Sequence, residues 1–132
     1  MFASFKVKLA AAVLGFAMLA PVSAQALDWP EFTREAFQAA QAEGKTIMIA
    51  THADWCSTCR AMEPALEAAR ADEFLEGVVF FKVDYDNQRD VMTELEVFDR
   101  SWVIVYNGAD EVARAYAVFE VQEVLDLGWL GL

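Results

Sequence analysis

Two cysteines, Cys56 and Cys59, sit two residues apart in the run Ala53-Asp54-Trp55-Cys56-Ser57-Thr58-Cys59-Arg60, and the 132-residue chain has no others. Thiols at this spacing can close a small ring. Met62, Leu66 and Ala69 follow at helical intervals, which places the pair at a helix start. Unsatisfied backbone amides and the positive end of the helix dipole stabilise a thiolate there, drawing the first sulfur from a free pKa of about 8.5 towards roughly 3.5–7.5. Cys56 is therefore the expected nucleophile, attacking a disulfide to form a mixed disulfide. Cys59, one turn further in, is the expected resolving thiol that displaces the bound sulfur.

Other uses of the pair are weaker. As a structural staple, so small a ring restrains the unfolded chain by only about 2 kcal/mol, against nearly 5 for a ring of about 100 residues. A metal site would have to combine Cys56, Cys59 and His52 with a ligand from outside, because two cysteines and one histidine cannot complete a four-ligand site within one chain. His52 lies four residues before Cys56, where a protonated imidazole would favour the thiolate, and a packed or solvated histidine is the alternative. Trp55 offers a shield for the dithiol and an apolar platform for partners, besides filling core.

These residues need a scaffold. Asp28 followed by Pro30 and Glu31 predicts a helix start, with Phe32, Ala36, Phe37 and Ala40 on one face and an end near Gly44. Lys45 to Thr51 is a short β-prone run and predicts a buried strand. Cys56 to Arg70 predicts a second helix, kinked near Pro64. Val78 to Asp84 predicts another strand, and Val91, Leu95 and Phe98 a third helix. Trp102 to Tyr106, the Asn107-Gly108 turn and Glu111 to Ala117 predict a β-hairpin. Val121, Val124, Leu125 and Trp129 line one side of a closing helix. Phe74, Phe80, Phe81 and Phe98 are expected to pack. This order gives an α/β layer fold with helices on both faces of a sheet, and the cysteines fall just past the carboxyl end of the first strand, where open α/β sheets build sites.

Composition narrows the classes of function. At 57% apolar residues the chain is too hydrophobic for a disordered segment, and its net charge of -11 would repel a phosphate backbone, so no nucleic-acid partner is expected. Lys6 and Lys8, the apolar run Leu9 to Ala20 and the small residues Val22 to Ala26 read as a signal peptide over 1–26, cleaved near Ala24 or Ala26, with a single domain over 27–132. The apolar run is short of the ~20 residues a bilayer requires, so no stable membrane span is expected after its removal. Export places the cysteines where disulfides persist, and a bacterial periplasm is the expected compartment.

The Trp-Cys-x-x-Cys box after a buried strand, together with the order of elements from Lys45 onward, resembles the thioredoxin superfamily, and within it small exported thioredoxin-like proteins. The resemblance covers essentially all of the domain after the leader. It implies a thioredoxin-like α/β fold with a central mixed β-sheet and a thiol-disulfide oxidoreductase that needs no dissociable cofactor. Its partners would be protein thiols and disulfides of the envelope, with a membrane electron donor upstream. Lys82 falls where thioredoxins place a lysine near the dithiol. The spacer Ser57-Thr58 lacks the histidine that strong oxidants often carry, which leans the expectation to a reductase or electron relay. Two departures stand out. Ala50 occupies the position of the family's buried aspartate, and Ser101 that of its cis-proline, where a serine restores an N–H and adds a hydroxyl within reach of the sulfurs. These departures keep open a second expectation, a non-enzymatic module of this fold that binds a metal or a partner protein.

Overall fold

In the run Thr46–His52 every residue is buried, as expected of a strand covered on both faces, and it forms the central strand β1. The computed structural model describes residues 27–132, and the expected leader lies outside them. Helix α1 spans Arg34–Ala42, and after β1 come helix α2 (Ser57–Arg70), a 3-10 turn at Glu73–Leu75 and strand β2 (Val79–Asp84). Helix α3 (Arg89–Glu94), strands β3 (Trp102–Asn107) and β4 (Asp110–Tyr116) and helix α4 (Val121–Trp129) complete the domain. The sheet order is β2-β1-β3-β4. β1 runs parallel to β2 and antiparallel to β3, which forms a hairpin with β4, so the sheet is mixed.

Strand alternation separates two cores. Met48 and Ala50 share a face with Phe80, Val103 and Val105, and this face packs on Met62, Ala65, Leu66 and Ala69 of α2 and Val124 of α4. Ile47 and Ile49 face the other way with Phe81, Val83 and Ile104, against Ala40 of α1 and Val91 and Met92 of α3. Ile47, Met48 and Ile49 have no exposed surface, and burying such side chains is worth about 1.5–3 kcal/mol each. β1 thus serves both cores at once and holds the segment that follows it rigidly in place. α2 continues through Pro64 without a break in the helix.

The N-terminal start differs from the sequence expectation. Residues around Asp28 are extended, and α1 begins six residues later with Thr33 as its cap, its Oγ1 accepting the Ala36 N–H at 3.2 Å. Leu27, Trp29 and Phe32 are buried. The Lys82 N–H donates to the Pro30 carbonyl at 2.7 Å and the Phe32 N–H to the Lys82 carbonyl at 2.8 Å, so this stretch lies parallel to β2 as a short added edge. Backbone pairing with β2 and burial of the apolar residues outweigh a capping signature.

Two aromatics also depart from expectation. α3 stops at Glu94, so Phe98 lies beyond the helix and is 80% exposed, while Leu95 and Val97 are buried. Phe74 is exposed and stacks on the exposed Trp129, ring centroids 5.5 Å apart.

Candidate functional site

β1 ends at His52, and the turn after it delivers Cys56 as the N-cap of α2. The Cys56 N–H donates to the Ala53 carbonyl at 3.0 Å, closing the turn, and the Arg60 N–H donates to the Cys56 carbonyl at 3.1 Å, opening the helix. In place of the usual cap hydroxyl or carboxylate, the Cys56 sulfur accepts the Cys59 N–H at 3.2 Å. Both cysteines are free thiols, 4% and 2% exposed.

Ser101 supplies the second wall. Its Oγ stands 3.5 Å from Cys56 Sγ and 3.2 Å from Cys59 Sγ. The backbone that places it is unusual: no described peptide bond is cis, and Ser101 has φ +72° in the left-handed region. Its N–H donates to the Thr51 carbonyl at 2.8 Å and its carbonyl accepts the Ala117 N–H at 2.9 Å, so β1 and the chain after β4 hold it. Thr51 Oγ1 also accepts the Trp102 N–H at 2.9 Å.

The two sulfurs differ in acidity. Burial works to raise the Cys56 pKa, but hydrogen bonds from the Cys59 and Ser101 side chains, the Cys59 amide and Arg100 outweigh it and hold this thiol below its ordinary value. Burial pushes the Cys59 thiol up, and the neighbouring Cys56 pushes it further, against weaker help from Ser101 and the Ala53 backbone. One sulfur ionises readily and the other keeps its proton.

Trp55 is 55% exposed beside the pair, its Nε1–H donating to Asp86 Oδ2 at 2.7 Å. Its ring meets that of Tyr85 edge-on at 6.2 Å. Ser57 is exposed and Thr58 half-buried, so the spacer lies towards solvent. His52 is buried and turns to α2, where its Nε2 lies 2.9 Å from Glu63 Oε1. Lys82 pairs with Ala50 across β1 and β2, and its Nζ donates to the Leu27 carbonyl at 2.9 Å. Among the described residues neither His52 nor Lys82 makes a hydrogen bond to either sulfur, and no three His, Cys, Asp or Glu side chains are gathered to hold a metal ion.

Three residues at the site escape sequence reasoning. Arg100 lays its guanidinium over Trp55, 4.5 Å from the ring centroid, next to Ser101, whose Oγ stands 3.5 Å from Cys56 Sγ. Tyr85 lies 5.7 Å from the same guanidinium. Glu63 is buried one turn beyond Cys59 as the partner of His52. The available signals were slight: an arginine adjoining Ser101, and an acid four residues after Cys59 on an otherwise apolar helix face.

A mixed sheet between helices, with a Cys-x-x-Cys pair capping the helix after the central strand, defines the class of thiol-disulfide exchange proteins. The thioredoxin family model matches residues 29–123, and the chain belongs to that family. It is a thiol-disulfide oxidoreductase. It is 38% identical over 80 residues to a thioredoxin H-type of Fagopyrum esculentum, covering 61% of this chain and 67% of the relative. It is 32% identical over 79 residues to thioredoxin-2 of Saccharomyces cerevisiae, covering 59% of this chain and 74% of the relative. The crystal structure of Trxlp from Edwardsiella tarda superposes with a TM-score of 0.71 at 28% identity, over 74% of this chain and 94% of that one.

Proposed function

We propose that this protein is an exported member of its family that reduces or relays electrons to disulfides of envelope proteins, with Cys56 attacking and Cys59 resolving. The observation that carries this reading is the Cys56 sulfur seated on the Cys59 amide at the helix start, where the thiolate is favoured. The Cys56 thiolate attacks one sulfur of a partner disulfide, the partner S–S bond breaks, and the released partner thiolate takes up a proton. Cys59 then loses its proton and attacks Cys56 Sγ, breaking the mixed disulfide and expelling the second partner thiolate, which takes up a proton in turn. The partner gains two electrons and two protons, and Cys56 and Cys59 are left as a disulfide. A donor in the membrane would return the pair to the dithiol.

Support for export comes from the basic start and apolar run of the leader. Trp55 is the platform for the partner, flat, apolar and open beside the attacking sulfur. Ser101, Ser57 and Thr58 shape the rim. The chain's net charge of -11 steers partners with basic surfaces towards the protein. Direction rests on a narrow margin, because about 30 mV corresponds to only 1.4 kcal/mol.

The test is Cys59→Ala, produced with its leader in a bacterium and isolated from the envelope after acid quenching. A mixed disulfide through Cys56 to an envelope protein is expected. Retention of the chain in the cytoplasm, or no covalent partner in any fraction, would overturn the proposal.

A further inference from the structure

Arg100 precedes Ser101 in the loop entering β3, and aromatic and acidic groups pin its guanidinium beside the dithiol. Trp55 lies under it, with Cζ 4.5 Å from the ring centroid, and Tyr85 flanks it at 5.7 Å. Asp99 Oδ1 accepts from its Nη1 at 2.8 Å. Tyr85 is in turn covered by the Arg89 guanidinium, 3.7 Å from its centroid, and Trp55 is tethered to Asp86. Asp86 and Tyr85 sit on a turn that the Asp84 carboxylate closes by accepting the Asp86 N–H at 2.9 Å and the Asn87 N–H at 3.2 Å. An arginine so constrained loses little further rotamer freedom when it engages a charge.

One donor is left over. Arg100 Nε is buried and, among the described residues, has no hydrogen-bond partner. A buried unpaired donor costs about 1–3 kcal/mol, so an orphan beside a reactive sulfur calls for an explanation.

We propose that Arg100 is a positioning residue of the exchange reaction: clamped by Trp55, Tyr85 and Asp99 beside the dithiol, its guanidinium opposes the negative charge of the Cys56 thiolate. The inference rests on Cys56 being the attacking sulfur. The cation opposes the negative charge of ionised Cys56, whose sulfur is itself buried, from a guanidinium whose Nε has no other partner among the described residues to satisfy it. When Cys56 forms a bond to the partner sulfur that charge disappears, so the arginine stabilises the dithiol state over the disulfide and raises the reduction potential. Ala50 carries no charge, and the Lys82 ammonium donates to the Leu27 carbonyl and, among the described residues, makes no hydrogen bond to either sulfur. The acidic groups facing the guanidinium are Asp99 and, beyond Trp55, Asp86.

The experiment is site-resolved alkylation of the reduced full-length domain against pH, read by mass spectrometry, for wild type, Arg100→Lys, Arg100→Gln and Arg100→Met. Expected for Met and Gln is a Cys56 midpoint moved upward, with at least a threefold slower rate at pH 6 and an unchanged plateau at high pH, while Lys keeps most of the wild-type rate. The potential against a glutathione buffer should fall in the same order, about 30 mV for each tenfold change in the equilibrium. If Met does not fold, the contrast between Gln and Lys carries the test. Gln and Lys profiles identical to wild type would overturn the assignment to Arg100 and leave Cys56 as nucleophile. Preferential labelling of Cys59 in wild type would overturn the underlying reading instead.

Discussion

The Ser101 hydroxyl lies 3.2 Å from the Cys59 sulfur, and it gets there on a backbone twisted to φ +72°. A non-glycine residue in that region costs roughly 1–2 kcal/mol. Two hydrogen bonds, to the Thr51 carbonyl and from the Ala117 N–H, hold the conformation against that cost. The hydroxyl also favours the thiolate of both cysteines. Ser101→Ala should therefore move both alkylation midpoints upward and slow release of a trapped mixed disulfide several-fold, with little change in stability. Ser101→Gly removes the same hydroxyl and relaxes the backbone. It should show the same reactivity with a denaturation midpoint equal to or above that of Ser101→Ala. Alkylation profiles that match wild type in both variants would show the hydroxyl to be inert.

Restoring the proline that the family usually carries here is expected to fail as a single change. Proline fixes φ near -65° and has no N–H, whereas this position has φ +72° and donates to Thr51 at 2.8 Å. Ser101→Pro should cost about 3 kcal/mol or more in urea denaturation. A variant as stable as wild type would mean that the loop rearranges freely around the dithiol.

The parts of the molecule legible in the sequence are those written in short-range patterns. β1 and β2 read as continuous apolar runs because both their faces are covered, and the Cys56-Cys59 spacing marks a helix start without any tertiary information. Asp28 misled because a capping signature is local, whereas the pairing of Pro30 and Phe32 with Lys82 is not. Phe98 misled because the helical period was extended past Glu94, where α3 ends. Arg100 was hidden for a similar reason: its contacts with Trp55 and Tyr85 join three loops that approach one another only once the sheet has formed.

His52 and Glu63 make a buried hydrogen bond at 2.9 Å behind the dithiol, joining the end of β1 to α2. Removing one partner strands the other away from water, at about 1–3 kcal/mol. Glu63→Leu and His52→Phe should each lose stability of that order in chemical denaturation. The double variant should lose less than the sum, since apolar replacement of both partners leaves nothing unpaired. Strict additivity would show that the two side chains act independently.

The split acidity of the cysteines makes the stability of the reduced protein depend on pH with two opposite signs. Cys56 is depressed in the folded state, so its contribution is fully present above the unfolded thiol value of about 8.5 and is lost as pH falls through its folded value. Cys59 is raised, so its contribution is fully present below that same unfolded value and is lost as pH climbs through its folded one. Relative to the Cys56→Ser/Cys59→Ser double variant, which carries neither titration, the unfolding free energy of the reduced domain should rise with pH up to about 8.5 and then decline. The measurement is urea denaturation of both proteins from pH 5 to pH 10 under a phosphine reductant. A difference that stays flat across that range would mean that folding does not separate the two thiols, and the order of attack would then have to come from exposure alone.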